Sequence, residues 1–354
     1  MNGNLVILLP GKISSGFMKV VKEAVAGYPS EVIARAEDIP PLNNRKILWA
    51  IELNEYGFNL SLKNMLQTIN QRGVMPFKNS QGAIIIQSPV ELWTKYTAYR
   101  IIFQSNQLGC YFMGHPVVEA IGNLLNFLTW QKQLNLPLSE IYQNKSRNLV
   151  HRLINNKNRN KSIGKPKVLV LYSNPRKTSN TMMLWQMVNK YIPDNKLNLV
   201  EQHVENGTIV DCRGCLYKTC KHYSERKECF YGGIVVQEIL PAIEKADCLI
   251  WLCPNYNDAV SAKLMAVINR LTVLYKRVNF YKKKFYAIIV SGNSGSENVA
   301  MQLIGSLNVN KGFQLPSNFS IMAIANDPGA VKKVAHIHQK AQNFAQNIYK
   351  GLNI

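Results

Sequence analysis

The chain has 354 residues, 47% of them hydrophobic, and carries 42 Lys and Arg against 21 Asp and Glu for a formal charge of +21. This length and hydrophobic content suit two cores rather than one, and no uncharged apolar run of about 18 residues offers a membrane span. Seven cysteines, an odd number with four of them between 212 and 229, exclude a disulfide framework.

The opening MNGNLVILLPGK has neither the basic region nor the small-residue cleavage site of a signal peptide, so a cytoplasmic protein is expected. LVILLPGKISSGFMKVVKEAV (5–25) reads as strand, loop and helix, and KILWAIELNEYGFNLSLKNML (46–66) repeats that order. Only AEDIPPLNNR (36–45) separates the second and third strands, too little for a helix. GAIIIQS (82–88) and GCYFMG (109–114) supply two more strands, and VVEAIGNLLNFL (117–128) is expected to be helical. Residues 136–166 read as a basic helical or linker segment. NKSRNLVHRLINNKNRNKSIGKPK (144–167) and KRVNFYKKK (276–284) are expected to be a solvated linker and a solvated loop. The charge suits an acidic partner such as a phosphorylated cofactor, but no nucleic-acid motif accompanies either run.

From 167 the alternation is clearer. KVLVLYS (167–173) precedes a helix over 178–192. LNLVEQHV (197–204) is a weaker strand. IVVQEILPAIEKA (234–246) is helical, with Pro241 expected to kink it. CLIWLCP (248–254) is a buried strand, and Val260, Leu264, Val267, Ile268, Leu271 and Leu274 line one helical face. YAIIVSG (286–292), a helix through 297–306, a strand near 320–325 and a helix over about 330–350 follow. The expected architecture is α/β, two flavodoxin-like doubly wound parallel sheets of order 2-1-3-4-5. Residues 1–135 form a degenerate copy and 167–354 the full one, related by internal duplication.

In such sheets ligands bind beyond the carboxyl ends of the strands, where the strand order reverses. In the second domain those loops are SNPRKTSNT (173–181), PNYND (254–258) and SGNSGSEN (291–298). The first leads hydroxyls and an Arg-Lys pair into a helix N-terminus, a natural phosphate seat. It matches neither a Walker loop nor GxGxxG.

SNPRKTSNT resembles the GSPRKxSNT loop of the NADPH-dependent FMN reductase and iron–sulfur flavoprotein family. The run from Ala246-Asp247 through Pro254-Asn255-Tyr256, Ser261-Ala262 and Asn269-Arg270 is similar to that family's AD…PxYxxxxSAxLKxxiDR, and CRGC with two later cysteines to its CxGCxxC…C. Tyr172, Met265 and Asn269 stand where the family has glycine, lysine and aspartate. The resemblance covers about residues 166–310 and implies FMN with its phosphate on Ser173, Arg176, Ser179, Asn180 and Thr181. The isoalloxazine edge would lie along Pro254, Asn255, Tyr256 and Asn257, with Ser291, Gly292 and Asn293 closing the other side. It also implies NAD(P)H as donor, a small-molecule or protein acceptor, and either a homodimer or a pseudo-dimer within the chain.

The cysteine spacing, Cys212-x2-Cys215-x4-Cys220-x8-Cys229, leaves three readings: a [4Fe–4S] cluster, zinc with His222 as a further candidate, or free redox-active thiols. Lys218, Lys221, Arg226 and Lys227 are expected to offset their charge, and the loop is expected to hang beside the flavin edge. Cys110, Cys248 and Cys253 lie in apolar runs and read as small hydrophobes. The expected function is an FMN-dependent oxidoreductase, NAD(P)H:flavin or quinone reductase-like or carrying the cluster. The rival is a non-enzymatic flavodoxin-like module for an acidic partner, with structural zinc.

Overall fold

The computed structural model describes residues 5–156, 164–174, 178–193, 195–204, 209–275 and 277–353. The chain divides into two compact units, Met1–Lys157 and Asn158–Ile354.

The first unit runs β1 (Leu5–Leu8), α1 (Ser15–Val25), β2 (Ser30–Ile33), β3 (Lys46–Glu52), α2 (Leu60–Asn70), β4 (Gln81–Ser88), α3 (Thr94–Gln107), β5 (Tyr111–Ile121), α4 (Leu128–Leu134) and α5 (Leu138–Asn155). The strands form one parallel sheet of order β2-β1-β3-β4-β5. Between β2 and β3 the short interval holds a single 3-10 turn, Ala36–Asp38. Ile47–Ile51 and Ala83–Ile86 are buried, as strands covered on both faces must be. Ser14 caps α1, its Oγ accepting from Phe17 N at 3.2 Å. Phe17, Val20, Val21 and Ala24 then pack with Ile141, Tyr142, Leu149, Val150 and Leu153 of α5.

Two expectations change here. Residues 117–121 are strand rather than helix: after Gly82↔Phe112 the next pair in the ladder is Ile84↔Val117. The chain therefore bulges through His115, at φ 49°, and Pro116, which has no amide to give the ladder. The basic stretch after 144 is, through 155, the solvent side of a core helix. Arg152 donates to the carbonyls of Gly114 and His115 at 2.8 Å each, tying α5 to the bulge. Lys145 sits 3.3 Å above the Trp130 ring.

The second unit runs β6 (Lys167–Tyr172), α6 (Asn180–Asn189), β7 (Asn198–His203), α7 (Tyr217–Ser224), α8 (Leu240–Lys245), β8 (Cys248–Pro254), α9 (Ala262–Arg270), α10 (Thr272–Tyr275), β9 (Lys284–Ser291), α11 (Ser296–Leu303), β10 (Ser320–Ile324) and α12 (Ile337–Leu352). Its parallel sheet has the order β7-β6-β8-β9-β10. Numbered from their own first strands, both sheets read 2-1-3-4-5, the flavodoxin-like order. Pro241 interrupts its helix as expected: a π-helical turn over Val235–Ile239 precedes α8, with the proline in the first turn. The cysteine segment contains the helix α7, which its charged composition concealed.

The two sheets share details of sequence position. Trp49 pairs with Leu8 in the first sheet, as Trp251 pairs with Leu171 in the second, and both indoles are fully buried. Burial pushes the Cys248 thiol up to about 12 and raises Cys110 and Cys253 too, so all three pack as neutral hydrophobes.

Candidate functional site

Three loops meet beyond the carboxyl ends of β6, β8 and β9. Ser173, which ends the β6 run, is buried, and its Oγ lies 3.0 Å from the Oγ of Ser261, the N-cap of α9. Lys263, in the first turn of α9, donates from Nζ to the Ser173 carbonyl at 3.2 Å. Ser179 caps α6, its Oγ accepting from Met182 N at 3.4 Å, and Thr181 is buried behind it. Asn180 turns away from this loop. Its Nδ2 donates to the carbonyls of Ala325 and Asp327 at 3.0 and 2.8 Å, and its Oδ1 accepts from Val331 N at 3.3 Å. Asn180 therefore offers an anion its backbone N–H, while its side chain holds the segment after β10. Arg176 lies outside the described residues.

The loop after β8 is held just as firmly. Asn257 and Asp258 both adopt left-handed backbone, φ 52° and 57°, between Tyr256 and Ala259, which form an antiparallel bridge; this is a type I′ turn. Asn255 donates from Nδ2 to Asp258 Oδ1, Ser291 Oγ and the Ser294 carbonyl at 3.1, 3.0 and 2.8 Å. Its Oδ1 is buried without a partner. Gln302 of α11 clamps the turn from behind: its Nε2 donates to the Asp258 carbonyl at 3.0 Å and its Oε1 accepts from Val260 N at 3.1 Å. Gly295 is required where it stands, because at φ 82° an added Cβ would lie 1.7 Å from Asp258 Oδ1. Ser291 is fully buried and its Oγ lies 2.6 Å from that of Ser296. Gly292 leaves room for Asn326, whose Oδ1 an added Cβ would approach to 3.0 Å. Asn293 accepts from Ser294 N at 2.7 Å. Pro254 ends the strand, and Tyr256 leaves half its surface in solvent.

The structure thus interlocks the loops after β6, β8 and β9 through Ser173, Asn255 and Ser291, with Gly292 beside them and Ser179 capping α6. It adds Lys263, Asp258, Gln302 and Gly295, which motif spacing did not single out. Of these, Lys263 had a legible signal, a lysine in the first turn of the helix that follows the third strand. The rim fits a flavin mononucleotide: a helix N-terminus with hydroxyls and an ammonium for the phosphate, an orphaned acceptor at Asn255 and an open aromatic face at Tyr256 for the ring.

Cys212, Cys215, Cys220 and Cys229 line a separate cavity of about 300 Å³ together with Tyr231, Asn269, Arg270 and Thr272. Its walls are pinned by the C-terminal end of α9. Arg270, 2% exposed, donates to the carbonyls of Val210 and Gly232 at 3.2 and 2.7 Å, clasping both ends of the cysteine segment. Asn269 donates to the Asp211 carboxylate at 3.0 Å. An aspartate at 269, the residue the family uses, would face Asp211 as a like charge, which accounts for the amide here. A hydrogen bond to Cys215 raises the Tyr231 phenol above its ordinary value, and Arg213 stacks 5.1 Å from that ring. Among the described residues no three His, Cys, Asp or Glu side chains converge on a point that would hold a single ion. Along α9, Asn269 stands eight positions beyond Ser261, about 12 Å of helix rise.

Residues 166–327 match the family model of NADPH-dependent FMN reductase. This is the family whose motifs the second unit carries. No curated protein sequence matches the chain. Among solved structures the chain is similar to RosB with a bound 8-demethyl-8-formylriboflavin-5'-phosphate intermediate, at 15% identity over 53% of this chain and 79% of that one, TM-score 0.42. It is also similar to the NAD(P)H:quinone oxidoreductase of Methanothermobacter marburgensis, at 12% identity over 52% and 96%, TM-score 0.40. A third is an FMN-dependent NADH-azoreductase of Bacillus anthracis in complex with FMN, at 12% identity over 51% and 99%, TM-score 0.36. No helix among the described residues is long and apolar enough to cross a membrane.

Proposed function

We propose that the second unit binds FMN and passes electrons from a reduced nicotinamide cofactor to a small-molecule or protein acceptor. The observation that carries this reading is the interlocked rim of the loops after β6, β8 and β9, within the segment that matches the reductase family. Bound FMN would supply reversible hydride and single-electron chemistry. The chain's own residues bind and orient. The α6 N-terminus, Ser173, Ser179 and Thr181 hold the phosphate, with Lys263 adding positive charge. The Tyr256–Ala259 turn, fixed by Asn255, Gln302 and Gly295, offers its backbone to the polar edge of the ring, and Tyr256 covers a face. Ser291, Gly292 and Asn293 close the opposite side.

The four cysteines are proposed to hold a [4Fe–4S] cluster, supported by their arrangement around one cavity; such a cluster would supply single-electron steps. The test is direct. Chain purified anaerobically and reconstituted with FMN should show flavin bands that bleach on adding NADPH, with iron and sulfide detected alongside. A colourless chain that takes up no FMN would overturn the oxidoreductase reading and favour a binding module. Zinc in place of iron would overturn the cluster alone.

A further inference from the structure

The carboxyl edge of the first unit's sheet carries a group of large apolar side chains that the core does not use. β3 and β4 are neighbours, and the loops that follow them both leave the sheet at this edge. They meet at Gly57 and Trp93: a Cβ added to Gly57 would lie 2.4 Å from Trp93 Cγ, so the indole rests directly on the glycine backbone. Tyr56 and Phe58 flank Gly57, Leu92 precedes Trp93, Leu60 opens α2 and Tyr96 lies in the first turn of α3. These six leave between 45 and 76% of their surface in solvent. The first loop is held rigid: Asn54 Oδ1 accepts from Tyr56 N and Phe58 N at 3.1 and 2.8 Å, and the Asn54 carbonyl accepts from Gly57 N at 3.0 Å. Trp93 itself holds left-handed backbone, φ 79°, a conformation that strains a bulky side chain.

At roughly 200 Å² for each aromatic side chain and somewhat less for leucine, those exposures leave about 700 Å² of mostly apolar surface in water. A monomer's main apolar patch is about 300–600 Å², whereas each partner of a stable interface contributes about 800 Å². Charge then selects the occupant. The chain has 42 Lys and Arg, yet none falls between Lys46 and Lys63 or between Lys78 and Lys95, and Lys95 pairs with Glu119 at 3.6 Å. Each loop brings an exposed acid instead, Glu55 and Glu91. Such a face repels nucleic acid and anionic surfaces. On a chain of charge +21 it is also a face where a second copy is met without setting the cations of these loops against one another. We propose that this platform is the contact between two copies of the chain, packed about a two-fold axis so that the aromatic loops of one cover those of the other, with Trp93 near the centre. The contact lies in the first unit, outside the segment that matches the reductase family, and it depends on neither FMN nor the cysteines.

The test weighs the full chain by sedimentation velocity over concentrations from about 1 to about 100 μM. It compares wild type with Phe58→Glu, Tyr96→Glu and, as a control, Val74→Glu, at an 88% exposed position past the other end of α2. Circular dichroism checks the fold of each. Wild type and Val74→Glu should sediment at twice the 40.1 kDa chain mass. Phe58→Glu and Tyr96→Glu each bury an unpaired carboxylate from both copies and should weaken association about 100-fold. Raised salt should leave the wild-type dimer intact, since it screens the like net charges and not the apolar contact. A wild-type chain that stays monomeric throughout would overturn the proposal, as would a dimer that salt dissolves. Wild-type association in both Phe58→Glu and Tyr96→Glu would overturn it too, by placing the contact between copies elsewhere; should one of the two misfold, the other carries the test.

Discussion

At the end of its third strand the first unit has Glu52 and the second has Pro254, and the two sites diverge from there. Both strands are seven residues long, and in both the N-cap of the next helix, Asn59 or Ser261, follows seven residues later. In the first unit the Glu52 carboxylate accepts from Ser14 N at 2.5 Å, Ser14 Oγ at 2.7 Å and Gln87 Nε2 at 2.5 Å. A negative charge of the chain's own therefore sits before the N-terminus of α1, where the helix dipole favours one. Asn59 closes the same gap, its Nδ2 donating to the carbonyls of Pro10 and Glu52 at 3.1 and 3.0 Å. The second unit places no carboxylate there among the described residues; Ser261 meets Ser173 and Lys263 brings a positive charge instead. One strand order thus appears twice, with a carboxylate at the head of the first helix in one copy and a lysine ammonium beside the corresponding loop in the other.

The comparison is most strongly tested by a pair of glycine substitutions. Gly295→Ala forces Asp258, and with it Asn255, out of place, and should weaken FMN binding about 100-fold in a fluorescence titration. Gly57→Ala meets a similar obstacle in the first unit, where at φ 81° an added Cβ would lie 2.4 Å from Trp93 Cγ. It should lower the stability of that unit and leave FMN affinity unchanged. Next in size, Glu52→Ala strands the Ser14 amide and hydroxyl. It should cost the first unit about 2 kcal/mol in urea unfolding, again without effect on FMN.

A smaller effect follows from Lys46, where β3 of the first unit begins. Burial pulls its ammonium down to about 8, although Nζ donates to Gln81 Oε1 and the Asn156 carbonyl at 2.9 and 3.0 Å. The unfolded chain holds this proton to an ordinary lysine value of 10.5. Between pH 8 and 10.5 the folded state has therefore lost the proton that the unfolded state keeps. Folding gains from this lysine as pH rises through that window, and the cost of the charged form is present in full below it. Unfolding curves of wild type and Lys46→Met at pH 7 and pH 9.5 should show wild type gaining on the variant at the higher pH. A constant difference between them would contradict the shift.

Much of the fold was legible because its central strands are uninterrupted apolar runs: ILWAI, AIII, LIWLC and YAIIV read as buried strands whatever surrounds them. The strand Val117–Ile121 was not. Val-Val-Glu-Ala-Ile fits a helical stripe as readily as an edge strand, and only the bulge at His115 and Pro116 decides between them. The helix Thr94–Gln107 buries Ala98, Ile101, Ile102, Ser105 and Asn106 among polar neighbours, a stripe too mixed to show as a periodic signal. In the site, the loop motifs placed Ser173, Ser179, Asn255 and Ser291 together because each motif marks one loop at the carboxyl edge of the sheet. Gln302 was invisible because it reaches in from α11, with no spacing relation to the loop it holds. The cysteine segment was assigned to the flavin edge because it follows β7. Its hold on the Asn269-Arg270 end of α9 emerges only once the helix is built.

The central claim is that this chain has one FMN seat, in the second unit, and that Glu52 fills its counterpart in the first. Equilibrium titration of the wild-type chain with FMN, read by flavin fluorescence and repeated on Gly295→Ala and Glu52→Ala, tests this most directly. The account predicts one FMN per wild-type chain, one per Glu52→Ala chain at the same affinity, and a site weakened about 100-fold in Gly295→Ala. Two FMN per wild-type chain, or one whose affinity falls with Glu52→Ala and not with Gly295→Ala, would contradict it.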